Sequence, residues 1–228
     1  MKKGFILLCF IVMTLGCKEL EKTSQNNSST ENVLEKKPTT AENIAAQHGF
    51  EHWEDVSEIN FTFNVDRGES HFERSWTWKP KKQDVTMSMG ANIVSYNRMK
   101  MDAIIRKTDA SFINDKFWLL APFNLVLDKG ISFTETQDVP APISKDTLNK
   151  LSVVYDKIGG YTPGDGYDFY FGKDFKIKEW VYRRGNENSH TMTNTWEDYE
   201  EFNGLQIAKM HKDSLGDFKL YFTNISVK

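Results

Sequence analysis

The sequence predicts a mainly β, α+β fold: a curved antiparallel sheet or half-barrel with a few short helices. Three observations lead there. Apolar and polar residues alternate through a succession of short segments. Clusters of Gly, Pro, Asp and Lys separate these segments at hairpin-like spacing. Strands this numerous do not stay in one flat sheet, so they curl into a barrel, a half-barrel or a sandwich.

In chain order, "AENIAAQHGFEHW", Ala41 to Trp53, opens with helix formers and meets Gly49, which predicts one short helix and a turn. "INFTFNV" then sets Ile59, Phe61, Phe63 and Val65 on one face and Asn60, Thr62 and Asn64 on the other, a half-buried strand. "SHFERSWTWKP" keeps Phe72, Trp76 and Trp78 in phase, "DVTMSM" does the same with Val85, Met87 and Met89, and "ANIVSYN" follows. "FINDKFWLLAPFNLVLDKG" is nearly unbroken apolar from Phe117 to Leu127 and fits strand and helix equally; a short helix or lid is the expectation. In "APISKDTLNKL", Ser144, Asp146 and Thr147 offer capping chemistry, predicting a loop that leads into a short turn of helix. "LSVVYD", "GYDFYFG", "FKIKEWVYRR", "LQIAKMHK" and "FKLYFTNISV" complete the strands.

Ahead of this domain lie two segments of other kinds. Lys2 and Lys3 precede the apolar run "GFILLCFIVMTLG", short for a membrane span but of the right length for an export signal. Thr14-Leu15-Gly16-Cys17 resembles the lipobox of bacterial lipoproteins, although threonine stands where leucine is usual. That resemblance implies cleavage between Gly16 and Cys17 and lipidation of Cys17. Several acyl chains, at about 0.8 kcal/mol per buried methylene, hold a protein firmly on a membrane. "KELEKTSQNNSSTENVLEKKPTT" has too little apolar surface to order itself and reads as a tether, with a reach on the order of 25 to 30 Å. The expected organisation is a signal over 1–16, a tether over 17–40 and one domain over 41–228.

Composition excludes several functions. Cys9 leaves with the signal and Cys17 is acylated, so the mature chain has no thiol for a nucleophile, a disulfide or a structural zinc site. Loss of Lys2 and Lys3 from 29 basic residues, against 32 acidic ones, leaves an acidic protein without a basic stripe, which argues against nucleic acid.

Both ends of the domain carry a resemblance. "AAQHGFEHWEDVSEINFTF" resembles the opening of outer-membrane lipoprotein-sorting-like proteins, the LolA/LolB superfamily, in its helix, glycine, tryptophan and first strand. "WEDYEEFNGLQIAKMHKD" and "FKLYFTNISV" are similar to that superfamily's last strands, and the whole resembles a group of bacterial lipoproteins. The resemblance implies an incomplete antiparallel barrel around helices, with an apolar cavity that accepts acyl chains in the carriers. Lipid anchoring is shared with LolB and not with LolA, so lipoprotein transfer is not implied.

Candidate chemistry is thin. "HGFEH", His48 to His52, matches an inverted zinc-protease pattern, but Gly49 interrupts the helix that both histidines need, so turn histidines packed near Trp53 are expected. Asp165, Asp168 and Asp174 lack calcium-loop spacing and suit a turn. Glu197, Asp198, Glu200 and Glu201 can form a glycosidase pair only if two face each other across a cleft; solvated loop charges are the expectation. There is neither a G-x-S-x-G elbow nor a phosphate loop. No catalytic residue, metal site or cofactor is expected.

Aromatic residues stand out. On the inside of a curved sheet, Phe61, Phe63, Trp76, Trp78, Trp118, Phe123, Phe169 and Phe171 would either line an apolar pocket or fill a core. The functional expectation is a non-catalytic protein of the bacterial cell envelope, anchored through Cys17, at the outer membrane on a face left open, that binds a lipid or acylated peptide. A surface glycan-processing enzyme and a structural partner of an unidentified envelope protein are the alternatives.

Overall fold

The computed structural model describes residues 37–158 and 162–228. The expected signal, the expected cleavage junction and lipidation site at Gly16 and Cys17, and most of the expected tether lie outside the described residues.

Helix α1, Thr40–Gln47, begins where a capping box permits: Thr39 Oγ1 accepts from the Glu42 N–H, and the Glu42 carboxylate accepts from the Thr39 N–H. The last tether residues therefore belong to the folded part. Gly49, at φ 88°, ends the helix in the left-handed region. A Cβ there would collide with the Gly204 carbonyl, which presses this corner against the loop before Leu205. A 3₁₀ turn, Phe50–Asp55, brings the chain to the first strand.

Strands β1 (Ile59–Arg67), β2 (Ser70–Lys79), β3 (Asp84–Met89) and β4 (Asn92–Asn97) form a meander of hairpins. Helix α2, Ala103–Leu127, then leads to β5 (Ile131–Pro140), β6 (Thr147–Tyr155), β7 (Gly166–Phe171), β8 (Ile177–Arg183) and β9 (Met192–Thr195). β10 (Glu197–Phe202), β11 (Leu205–Lys212) and β12 (Phe218–Val227) close the chain. One antiparallel sheet runs β10-β11-β12-β1-β2-β3-β4 and a second runs β5-β6-β7-β8-β9.

The sheets are joined on one side only. Between β9 and β10 the chain changes sheet at Trp196, whose N–H donates to the Lys178 carbonyl at 2.7 Å. The Thr195 hydroxyl accepts from the Lys212 N–H at 3.1 Å, and the Thr195 carbonyl lies 3.1 Å from His211 Nδ1. On the other side β4 and β5 do not pair. The link between them is α2, which packs against both sheets: Phe112 meets Trp76 and Trp78 of the first, Phe117 meets Tyr155 and Tyr167 of the second.

This position explains why the apolar segment resists a periodicity reading. It is the larger part of a 25-residue helix, not a short helix or a lid, and it is buried almost all round from Asp115 to Leu125. Its start is fixed by Asp102, whose carboxylate accepts from the Ile105 N–H at 2.8 Å. Pro122 distorts the helix at Leu120 (φ −124°, ψ 17°) because it has no N–H for the Trp118 carbonyl. That carbonyl instead faces the buried His211 ring.

Two polar pins fasten α2 to the first sheet. The fully buried Asp115 carboxylate accepts from Arg74 Nε and Nη2, both at 2.9 Å, and from Trp76 Nε1 at 2.8 Å. Asp109 accepts from Arg98 Nε at 2.8 Å and from the Tyr96 hydroxyl at 3.0 Å.

Other expectations are corrected. Ser144 opens no helix; the Ile143 and Ser144 N–H groups donate to the buried Glu179 carboxylate at 2.7 and 2.8 Å, and the chain enters β6 at Thr147. "EDYEEF" is not a loop but the edge strand β10, while β5 and β9 are strands without a clear sequence signal.

Candidate functional site

The alternation along β1 continues past the aromatic residues. Phe61, Phe63, Val65 and Arg67 share the inner face, and the register sets Val65 beside Leu220 and Arg67 beside Phe218 of β12. At the Ile59 end of β1 this face is filled: Trp76 and Trp78 meet the edge of Phe112, and Trp53 stacks on Phe123 at 5.4 Å. At the Arg67 end it is not. There α2 presents Ala110, Ile113 and Asn114, too small to reach the opposite sheet, and an open cavity of about 570 Å³ remains.

Phe63, Val65, Phe218 and Leu220 form one wall of this cavity, and Tyr167, Trp180, Tyr182 and Met192 form the facing wall. Phe117 and Trp118 join Ala110 and Ile113 on the helix side, while Arg67, Thr162 and Arg184 bring polar groups to it. The walls are rigid: Trp118 meets Trp180 edge-on at 4.5 Å, and Tyr167 stacks on Trp180 at 5.3 Å and on Tyr182 at 5.2 Å.

The polar groups fall into two sets. The tyrosine hydroxyls are engaged, Tyr182 donating to Asp165 Oδ2 at 2.9 Å and Tyr167 lying 3.0 Å from the Thr162 hydroxyl. Burial, above all, raises both phenols above the usual tyrosine range, so they remain neutral donors. The arginines differ. Arg74, Arg98 and Arg183 are paired with Asp115, Asp109 and Asp168, whereas Arg67 and Arg184 form no ion pair among the described residues. Arg67 lies over the Phe218 ring at 5.4 Å.

Of the eight aromatic residues singled out in the sequence, Phe63 and Trp118 stand on the cavity wall. The other six are packed into the core. Phe61 meets Phe222, Trp76 and Trp78 meet Phe112, and Phe123 stacks on Trp53. Phe169 lies against Trp180, and Phe171 stacks on Phe175. Sequence reasoning missed the helix face of Ala110 and Asn114, which carries no signal because it works by leaving space. It also missed Arg67, although Arg67 continues the phase of Phe61, Phe63 and Val65.

The remaining candidates come apart. His48 is the buried C-cap of α1, with Nδ1 2.7 Å from the Ile44 carbonyl and Nε2 3.2 Å from the Tyr199 hydroxyl, so it packs on Tyr199 and not near Trp53. His52 sits on the 3₁₀ turn over Gly204. No group of three or more metal-ligating side chains occurs among the described residues. Asp165, Asp168 and Asp174 serve different partners: Tyr182, Arg183 and the Lys176 N–H. Glu197 pairs with Lys212, and Asp198 and Glu200 with Lys209, along the sheet edge.

The chain matches no family model and no curated protein sequence. Among solved structures it is similar to a DUF1329 family protein from Desulfovibrio piger, at 9% identity and a TM-score of 0.44 over 83% of this chain and 92% of that one. It is also similar to a LolA superfamily protein from Nitrosomonas europaea, at 8% identity and a TM-score of 0.47 over 84% and 94%. A third is an outer membrane lipoprotein-sorting protein domain from Vibrio parahaemolyticus, at 8% identity and 0.45 over 83% and 91%.

Proposed function

We propose that this protein binds one hydrophobic ligand, a lipid or acyl chain, in the cavity between its two sheets, while anchored to the bacterial envelope through an acylated Cys17. Capture proceeds by burial of apolar surface, with no bond made or broken. The observation that supports this reading is the cavity itself: about 570 Å³, open to solvent and walled by rigid aromatic and aliphatic side chains. Among the described residues the cavity lining holds no carboxylate, and Glu197, Asp198 and Glu200 of β10 are paired with lysines elsewhere.

The size of the cavity makes the reading testable. A methylene takes up about as much room as a liquid water molecule, roughly 30 Å³, so the cavity holds a single chain of on the order of 16 to 19 carbons. Each buried methylene adds about 0.8 kcal/mol, a fourfold gain in affinity. Saturated fatty acids of increasing length, titrated against the full-length chain carrying Cys17→Ser and followed by tryptophan fluorescence, are expected to tighten stepwise and then level off near that length. Affinity that is independent of length, or an absence of binding at every length, refutes the proposal.

A further inference from the structure

We infer that the ligand is an anionic single-chain amphiphile whose charged head, a carboxylate or a phosphate, is held by Arg67 and Arg184. This inference rests on the reading of the cavity as a chain-binding site and adds the chemistry of the head. Its basis is the contrast among the arginines. Arg74, Arg98 and Arg183 each lie within about hydrogen-bonding distance of a buried or partly buried aspartate, as guanidinium groups near apolar surface require. Arg67 and Arg184 stand exposed at the rim of the apolar cavity and form no ion pair among the described residues, Arg184 reaching only the neutral Tyr182 hydroxyl. Two guanidinium groups free of a direct ion pair among the described residues, at the rim of an apolar slot for one chain, complement a molecule with one apolar tail and one negative end.

The local structure holds both groups in place. Arg67 is the last residue of β1 and rests over the Phe218 ring at 5.4 Å, which fixes the direction of its side chain without using its donors. Across the cavity, the backbone N–H of Arg184 donates to the Thr191 hydroxyl at 2.9 Å and that of Gly185 to Asp165 Oδ1 at 2.7 Å. Asp165 accepts from Gly185 and from the Tyr182 hydroxyl, and that hydroxyl stands between Asp165 and the Arg184 side chain. Asp213 and Asp217 are carboxylates near Arg67. They line an adjoining groove with Arg67, outside the cavity, and Asp213 Oδ1 already accepts from the Gly216 N–H at 2.6 Å. The planar fork of arginine suits a carboxylate or phosphate in two-point contact, and a neutral head offers it no charge. Volume supplies the second restriction: room for a single chain excludes a two-chain phospholipid held by both tails.

The test compares palmitate, hexadecyl phosphate, hexadecanol and inorganic phosphate on the full-length Cys17→Ser chain, with and without Arg67→Gln and Arg184→Gln. Palmitate, hexadecyl phosphate or both are expected to bind at least about tenfold more tightly than hexadecanol, a preference that weakens as salt is raised. The double substitution should bring the anionic amphiphiles down to the affinity of hexadecanol while leaving hexadecanol itself unchanged, with circular dichroism unaltered. Tight binding of palmitate alone identifies the head as a carboxylate, and of hexadecyl phosphate alone as a phosphate. Equal affinity for acid and alcohol overturns the inference yet leaves chain binding intact, as does a preference that survives the double substitution. Arginine-dependent binding of inorganic phosphate as tight as that of hexadecyl phosphate also overturns it, by revealing a site for a free anion. Failure of all the amphiphiles removes the chain-binding reading itself.

Discussion

The two ends of the inner face are built from the same strands and differ in what the central helix offers them. At the Ile59 end of β1, Phe112 is driven edge-on against Trp76 and Trp78, and Trp53 and Phe123 stack where the helix ends. At the Arg67 end, the neighbouring helical positions Ala110, Ile113 and Asn114 face a wall just as aromatic and stop short of it. Aromatic strands alone therefore make neither a core nor a pocket. The decision lies with side-chain volume on α2: Phe112 fills one end, while Ala110, Ile113 and Asn114 leave room at the other above Phe117 and Trp118.

The largest effect expected is a difference in stability between adjacent residues. Phe112→Ala removes a fully buried ring from the filled end and should destabilise the fold by about 3 to 5 kcal/mol. Ile113→Ala removes a group that already borders open space and should lower stability by only about 1 kcal/mol. Urea denaturation of both variants measures the difference. Similar losses at the two positions would mean that the open end is packed in solution.

Residue for residue, a somewhat smaller effect comes from acid. Burial, as the largest cause, holds His48 and His211 at about 4, against 6.5 when exposed. His48 faces the Ile44 carbonyl, Tyr199, Lys176 and Asp174; His211 faces the Thr195 carbonyl, Glu197 and the Trp118 carbonyl. Below 6.5 the unfolded chain takes up protons that the folded one refuses, so the stability present above that pH is lost as pH falls toward 4. The loss is about 3 kcal/mol for each histidine at most. His211 also abuts Trp118 at 5.4 Å, so its protonation should loosen the cavity wall as well as the core. Denaturation midpoints from pH 7 down to pH 4.5 should fall steadily, and His211→Gln should remove about half of the slope. A flat profile would show that neither ring is kept neutral by the fold.

What was legible in the sequence follows from the same physics. β1 to β4, the second half of β6, β7, β8, β11 and β12 are readable because most of them have one dry and one wet face, or a continuous apolar run between turn residues. β5 is exposed along nearly its whole length, and β10 is a charged edge, so neither leaves an apolar phase to detect. The long helix hid its period by being buried on all sides. At the site, Phe63 and Trp118 could be chosen by type, and Arg67 could have been chosen by its phase after Val65. Ala110 and Asn114 could not, because an empty volume is defined by what two separate strands and a helix fail to fill.

Ala110→Leu gives the smallest expected change in stability and the finest test of the comparison. Alanine and leucine are both strong helix formers, so α2 should be undisturbed, and the new side chain enters open space; stability should stay within about 1 kcal/mol. The added carbons then take room from the ligand. In the fatty-acid series the length at which affinity levels off should shorten by about three carbons, with the gain per methylene unchanged below it. That outcome would show that the open end is kept open by the smallness of one helical residue. An unchanged length limit would place the chain elsewhere along the Arg67 end, and Ala110 would then be small for a reason unrelated to the ligand.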